Sequence, residues 1–351
     1  MQLEFTRAKT PTGVFFDSDF ATIDNLLAMA LLFGLQGKNE CRVAIVTMSR
    51  PNLAVAGFID TVQRFYRGPA GNFAQVPPVG MRTVGAGGET SPAFTVPFDK
   101  RKLDGTPVYK NEVKRVIETG DPNTLFRNYL EAQYDQHAFV VLSGPATNLA
   151  AALDFPRMKD LIASKVQHLV VAGGAFPNGP VERHIQADIP AAKKLFAEWP
   201  TPIVASGYEV GSALEFPGAS IDKEFAAAVP DNPVADAYRA YKQMPYDSPS
   251  WAMSAALYGA RPTEGYFKLS GTGAISVRDD GRTAFAPSES GRHRYLMVDP
   301  AQKDRILAAY VELASAKPTS PRRFRPPDAA AKDAAKQVQK DPADPADKPE
   351  Q

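Results

Sequence analysis

The apolar positions of this chain fall into short dense runs separated by polar loops, and their spacing alternates between that of a buried strand and that of a buried helix. Val14-Phe15-Phe16 predicts a first strand that ends in Asp17-Ser18-Asp19, and Asn25 to Leu35 has the apolar density of a buried helix. Arg42 to Met48 is rich in β-branched residues and predicts a second strand, followed by a helical stretch from about Asn52 to Tyr66. Gly68 to Lys110 is loop-rich, with many glycines and prolines and little periodicity. Alternation then returns: helix Asn123–Tyr134, strand Ala138–Leu142, helix Thr147–Leu153, strand His168–Ala172, helix Ile189–Glu198, strand Pro202–Ser206 and helix Ser250–Tyr258. Asp279-Asp280-Gly281 marks the turn of an antiparallel hairpin, since Gly tolerates positive φ there. A last helix covers about Ala301 to Ala316.

This order predicts an α/β fold: a mainly parallel open sheet with helices on both faces, plus a small antiparallel hairpin. One α/β domain is expected over residues 1–316. From Lys317 to Gln351, Pro, Lys, Asp and Ala recur with almost nothing apolar, so that tail is expected to be disordered. There is no internal repeat.

Composition narrows the function classes. With 44% hydrophobic residues in 351, the chain can build one large core. Its 40 basic and 39 acidic residues nearly cancel and form no long basic stripe, which argues against a phosphate-neutralising surface for nucleic acid. The longest apolar run, Leu26 to Leu35, is too short to cross a bilayer. Cys41 is the single cysteine, excluding an internal disulfide and a cysteine-rich zinc site. Met1 to Phe5 lacks the basic start and apolar run of a signal peptide, so cytoplasmic residence is expected; a secreted protein whose signal has been removed would look the same. His137, His168 and His293 are scattered without metal-ligand spacing, and Arg292-His293-Arg294 reads as a solvated edge.

The chemistry concentrates in Asp17-Ser18-Asp19-Phe20-Ala21-Thr22-Ile23-Asp24-Asn25, where three carboxylates and an amide crowd the carboxyl end of the first strand. Ligands of open α/β sheets bind outside that edge. Crowded carboxylates repel one another unless a cation lies between them, and a hard cation with oxygen ligands is one solution. The alternative is that Asp24 or Asn25 caps the following helix.

This segment resembles the Asp-x-Asp-x-Gly-x-Asp-Asp-Ala signature of the inosine–uridine-preferring nucleoside hydrolases. Gly144-Pro145-Ala146-Thr147-Asn148-Leu149-Ala150, Gly173-Gly174-Ala175-Phe176 with Glu182-x-His184, and Ser206-Gly207-Tyr208-Glu209-Val210-Gly211 resemble further segments of that family in the same order. The resemblance implies N-glycoside hydrolysis of ribonucleosides or related ribosides by a Ca²⁺-activated water, with Asp19 catalytic. Metal ligands would be Asp17, Asp19, Asp24, Asn25 and the carbonyl of Thr147. Contacts to the substrate would come from Asp24, Asn178, Glu182, His184 and Trp251. A homo-oligomer is implied by analogy, and the partner is a small nucleoside or riboside rather than nucleic acid or membrane.

Three departures matter. The signature segment carries Ala21 for glycine; with one extra residue before the pair, Asp-Asp becomes Asp24-Asn25, and aligned without it the pair reads Ile23-Asp24 and a ribose contact is lost instead. Ser250-Trp251-Ala252 stands where the family carries Ser-Trp-Asp, so a calcium carboxylate is missing unless Asp247 replaces it. His184 replaces an amide. The reading is therefore a hydrolase with a partly degenerate calcium site, the ion held weakly or not at all. The alternative is a catalytically weakened ribosyl- or polyol-binding relative or structural partner protein. Restoring Asn25→Asp with Ala252→Asp is expected to tighten calcium binding.

Overall fold

Successive strand residues point to opposite faces, and here both faces are apolar. Val14 and Phe16 join one buried cluster and Phe15 the other; Phe139 and Val141 separate from Val140 and Leu142 in the same way. Such strands require cover on both sides. The computed structural model describes residues 10–67, 76–85, 87 and 90–318, and the tail expected to be disordered lies outside them from residue 319 onward.

Strands β1 (Thr12–Ser18), β2 (Cys41–Met48), β3 (Val79–Met81), β4 (Ala138–Ser143), β5 (Val166–Ala172) and β6 (Ile203–Ser206) run parallel in the order β6-β5-β4-β1-β2-β3. β7 (Glu215–Phe216) and β8 (Ser248–Pro249) form a separate antiparallel pair. β9 (Lys268–Leu269), β10 (Gly273–Val277), β11 (Thr283–Pro287) and β12 (His293–Met297) complete a sheet that is ten-stranded among the described residues. Within it β12 lies parallel to β6, and β10 pairs antiparallel with both β12 and β11.

The helices of the described residues are α1 (Ile23–Gly37), α2 (Leu53–Arg67), α3 (Pro122–Glu131), α4 (Thr147–Ala152), α5 (Met158–Lys165), α6 (Arg183–Ala187), α7 (Ile189–Glu198), α8 (Tyr208–Ala213), α9 (Ala226–Ala228), α10 (Pro233–Tyr241), α11 (Trp251–Ala260) and α12 (Lys303–Ala314). α1, α2, α10, α11 and α12 cover one face, and α3, α4, α5 and α7 the other. α1 is buried from Ile23 to Leu35 because α11 and α12 both pack on it. A Cβ at Gly34 would collide with the carbonyl oxygen of Leu313, so only glycine permits that approach of α1 to α12. Among the described residues no helix is long and apolar enough to cross a membrane.

The expected α/β sheet is present with its hairpin, and two segments differ from expectation. β3 lies inside the stretch read as loop, because Val-Gly-Met is too short to show a period. The expected hairpin is β10–β11, which turns at Gly281, φ 84°, and extends the main sheet. Arg292 to Arg294 is not a solvated edge: β12 is interior, and buried His293 accepts the Ile275 amide on Nδ1 at 3.0 Å.

From β1 the chain proceeds to β2 and β3 on one side, then returns to β4, β5 and β6 on the other. The carboxyl ends of β1 and β4 therefore border the topological switch point, where open α/β sheets bind ligands.

Candidate functional site

Asp17 sits near the carboxyl end of β1, fully buried. Its Oδ1 accepts from the Thr47 hydroxyl on neighbouring β2 at 2.6 Å and from Asn148 Nδ2 on α4 at 2.9 Å. Its Oδ2 is buried with no hydrogen-bond partner. Burial pushes this carboxyl up to about 7, against the pull of Thr47 and Asn148. A buried acid with an idle oxygen is a liability for the fold and a natural contact for a ligand.

Asp19 follows in the loop. The next residue, Phe20, has φ 47°, so the left-handed turn falls one position before Ala21. The buried Phe20 ring meets Phe16 edge-on at 5.8 Å, and this packing holds the strained backbone. Gly144 closes the site from below: a Cβ there would lie 2.6 Å from the Asp19 amide nitrogen.

The Asp19 carboxylate is fully enclosed. Oδ1 accepts the Ala21 amide at 3.1 Å, and Oδ2 accepts from Arg183 Nη1 at 2.8 Å. Burial alone would raise this carboxyl, but His184 and Arg183 beside it reverse the shift and hold it well below the usual carboxylate range.

His184 Nδ1 donates to the Ala172 carbonyl at 2.8 Å, and Nε2 lies 2.6 Å from Arg183 Nη2. Burial lowers the imidazole's affinity for a proton, while Asp19 and Glu182 outweigh it and move it upward. The hydrogen bonds nevertheless accommodate the neutral ring, since Nε2 must accept from a guanidinium that can only donate.

Asp24 is turned elsewhere. Its Oδ2 accepts the Ala252 amide at 2.6 Å and its Oδ1 the Met253 amide at 3.2 Å, so it caps α11 across the molecule. Burial raises it to about 7 against those amides. Asn25 Oδ1 accepts the Thr22 amide and hydroxyl at the start of α1, and its Nδ2 donates to Ser143 Oγ at 2.8 Å.

Glu182 caps α6, taking the amides of His184 and Ile185, and also accepts the Gly174 amide. The Thr147 hydroxyl donates to Asp188. Asn178 is exposed in the turn after Phe176. Trp251 begins α11, donates Nε1 to the Tyr208 carbonyl and stacks on the Tyr208 ring, centroids 6.0 Å apart. Asp247 accepts the Gly218 amide.

Sequence reading missed Arg183, the unspecified residue between Glu182 and His184, because a single arginine carries no pattern. Asn148 lies within a motif that carries no sign of its reach to Asp17, and Thr47 lies in an apolar strand run that gives no sign of a polar contact.

No family model and no curated protein matches the chain. Solved structures do. The inosine–uridine-preferring nucleoside hydrolase of Bacillus anthracis superposes with a TM-score of 0.62 at 15% identity, over 87% of this chain and 99% of that one. The chain has a nucleoside-hydrolase-like fold. A plant nucleoside hydrolase matches at TM-score 0.58 and 20% identity, covering 87% of this chain and 99% of its own. The type III effector XopQ, solved with adenosine diphosphate ribose, matches at TM-score 0.55 and 14% identity, covering 88% and 94%.

The calcium expected from that resemblance does not fit the residues present. Both oxygens of Asp24 take backbone amides, the Asn25 carbonyl faces Thr22, and position 252 is a buried methyl group. Asp19 is paired with a guanidinium. Among the described residues no three His, Cys, Asp or Glu side chains are grouped to hold an ion. Ca²⁺ requires six or more oxygens, several of them charged. The Asn25 side chain is engaged by Thr22 and Ser143, and Ala252 is fully buried, so neither position faces a formed ion site.

Proposed function

We propose that this chain binds a ribosyl compound at the β1–β4 switch point and hydrolyses N-glycosides weakly or not at all. The observation that carries this reading is the 2.8 Å ion pair between Arg183 and Asp19. In a metal-assisted hydrolase the matching carboxylate would polarise a water, and the field of free carboxylates would stabilise an oxocarbenium-like sugar. Here that charge is already compensated. The idle Asp17 Oδ2 supports a retained role in hydrogen-bonding a sugar hydroxyl. The half-buried Trp251 and exposed Tyr208 rings offer a stacking surface for an aromatic base.

The test is calorimetric titration with ribose, adenosine and adenosine diphosphate ribose, alongside an assay for released ribose. Binding of at least one, weakened by Asp17→Asn, with no burst of released ribose, is the expected result. Brisk ribose release abolished by Asp19→Ala would overturn the reading in favour of the hydrolase, which the retained Asp17 and Asp19 favour.

A further inference from the structure

We infer that Arg183 has taken over the electrostatic role of a divalent cation at Asp19, so that this site is assembled without metal. Whichever ligand binds, three features of the geometry point to this role.

First, the Asp19 side chain has no solvent exposure, and a carboxylate so enclosed needs a counter-charge. Among the described residues Arg183 is the nearest counter-charge, at 2.8 Å, with the His184 ring 3.7 Å away beside it. Second, the guanidinium is held at two points. Nη1 meets Asp19 and Nη2 meets His184 at 2.6 Å, while the His184 ring is itself anchored by the Ala172 carbonyl. A planar fork fixed by two side chains is a permanent fixture rather than a surface arginine in passing contact. Third, two of the other positions that would surround an ion serve local structure, Asp24 at the start of α11 and Asn25 at the start of α1, which leaves Asp17 as the carboxylate with an unpartnered oxygen. A site that depended on a cation would leave these oxygens facing it.

Arg183 keeps 47% of its side chain exposed while Asp19 is enclosed, so the pair is open to solvent on the arginine side.

The experiment uses the full chain in a thermal-melt cycle of wild type, Arg183→Gln, Asp19→Asn and the double variant, each in calcium and in EDTA. The expected outcome is identical melting of the wild type with calcium or EDTA. Arg183→Gln should lower the melting temperature in the wild-type background and have little effect in the Asp19→Asn background, where a neutral amide has replaced the carboxylate. Arg183→Lys, keeping the charge without the fork, should recover part of the loss. A saturable rise in wild-type melting temperature with calcium overturns the inference. So does an equal loss from Arg183→Gln in both backgrounds, because the arginine would then be stabilising something other than Asp19. If no riboside binds while the cycle behaves as expected, the functional reading fails and this inference stands.

Discussion

Asp17→Asn separates the requirements of the fold from those of the site. Burial raises the Asp17 carboxyl from its ordinary 3.8 to about 7. Between those values the native protein keeps a proton on Asp17 that the unfolded chain has released. Stability contributed by the protonated form is therefore fully present below about pH 4 and is lost as pH rises through about 7. A difference of about three pH units at ~1.4 kcal/mol each bounds the effect at ~4 kcal/mol, and we expect ~2–4 kcal/mol because Thr47 and Asn148 can relax. The variant side chain carries no titration, although its amide N–H groups would replace an oxygen that has no partner. That replacement offsets the curve equally at every pH, so the slope is the readout. Asp24 shares the same window, and burial lowers His168 and His293 so that they lose stability as pH falls; all three are present in both proteins and cancel. Urea unfolding followed by circular dichroism from pH 4 to 8 should show the variant gaining on the wild type by about 1 M in midpoint, for an m-value of ~3 kcal/mol/M. Parallel midpoint curves across that range would refute the argument that Asp17 is held protonated by burial.

Further outcomes follow from single contacts. Asp24→Ala should cost ~2–5 kcal/mol, since two buried amides of α11 lose their acceptor, and Asp24→Asn should recover much of it; urea midpoints measure both. Asn25→Asp should lower stability by ~1–3 kcal/mol, because the donor to Ser143 is lost, and calcium should not restore the melting temperature. Gly144→Ala should cost ~1–3 kcal/mol and weaken riboside binding measured by calorimetry, because its Cβ would press on the Asp19 backbone.

Much of this protein was legible along the chain. The apolar runs at 14–16, 42–48, 138–142 and 168–172 are dense enough on both parities that each must lie between two layers, and α/β order follows from their alternation with helical stretches. The acidic cluster at 17–24 was legible too, because carboxylates at a strand's end are informative by their position alone. What each acid does was not. Sequence spacing shows that Asp24 and Asn25 suit a helix start, but Asn25 caps its own helix while Asp24 caps one whose Ala252 amide lies 228 positions away. Arg183 likewise reaches Asp19 across 164 positions, a separation at which no periodicity or spacing rule operates. Local propensity depends on neighbours along the chain, whereas the charge state of a buried carboxylate depends on which groups folding carries to within about 3 Å. Patterning along the chain was enough for the sheet, its two apolar faces and the edge where the acids gather. That a guanidinium, not an ion, faces Asp19 emerges only when distant segments are folded together.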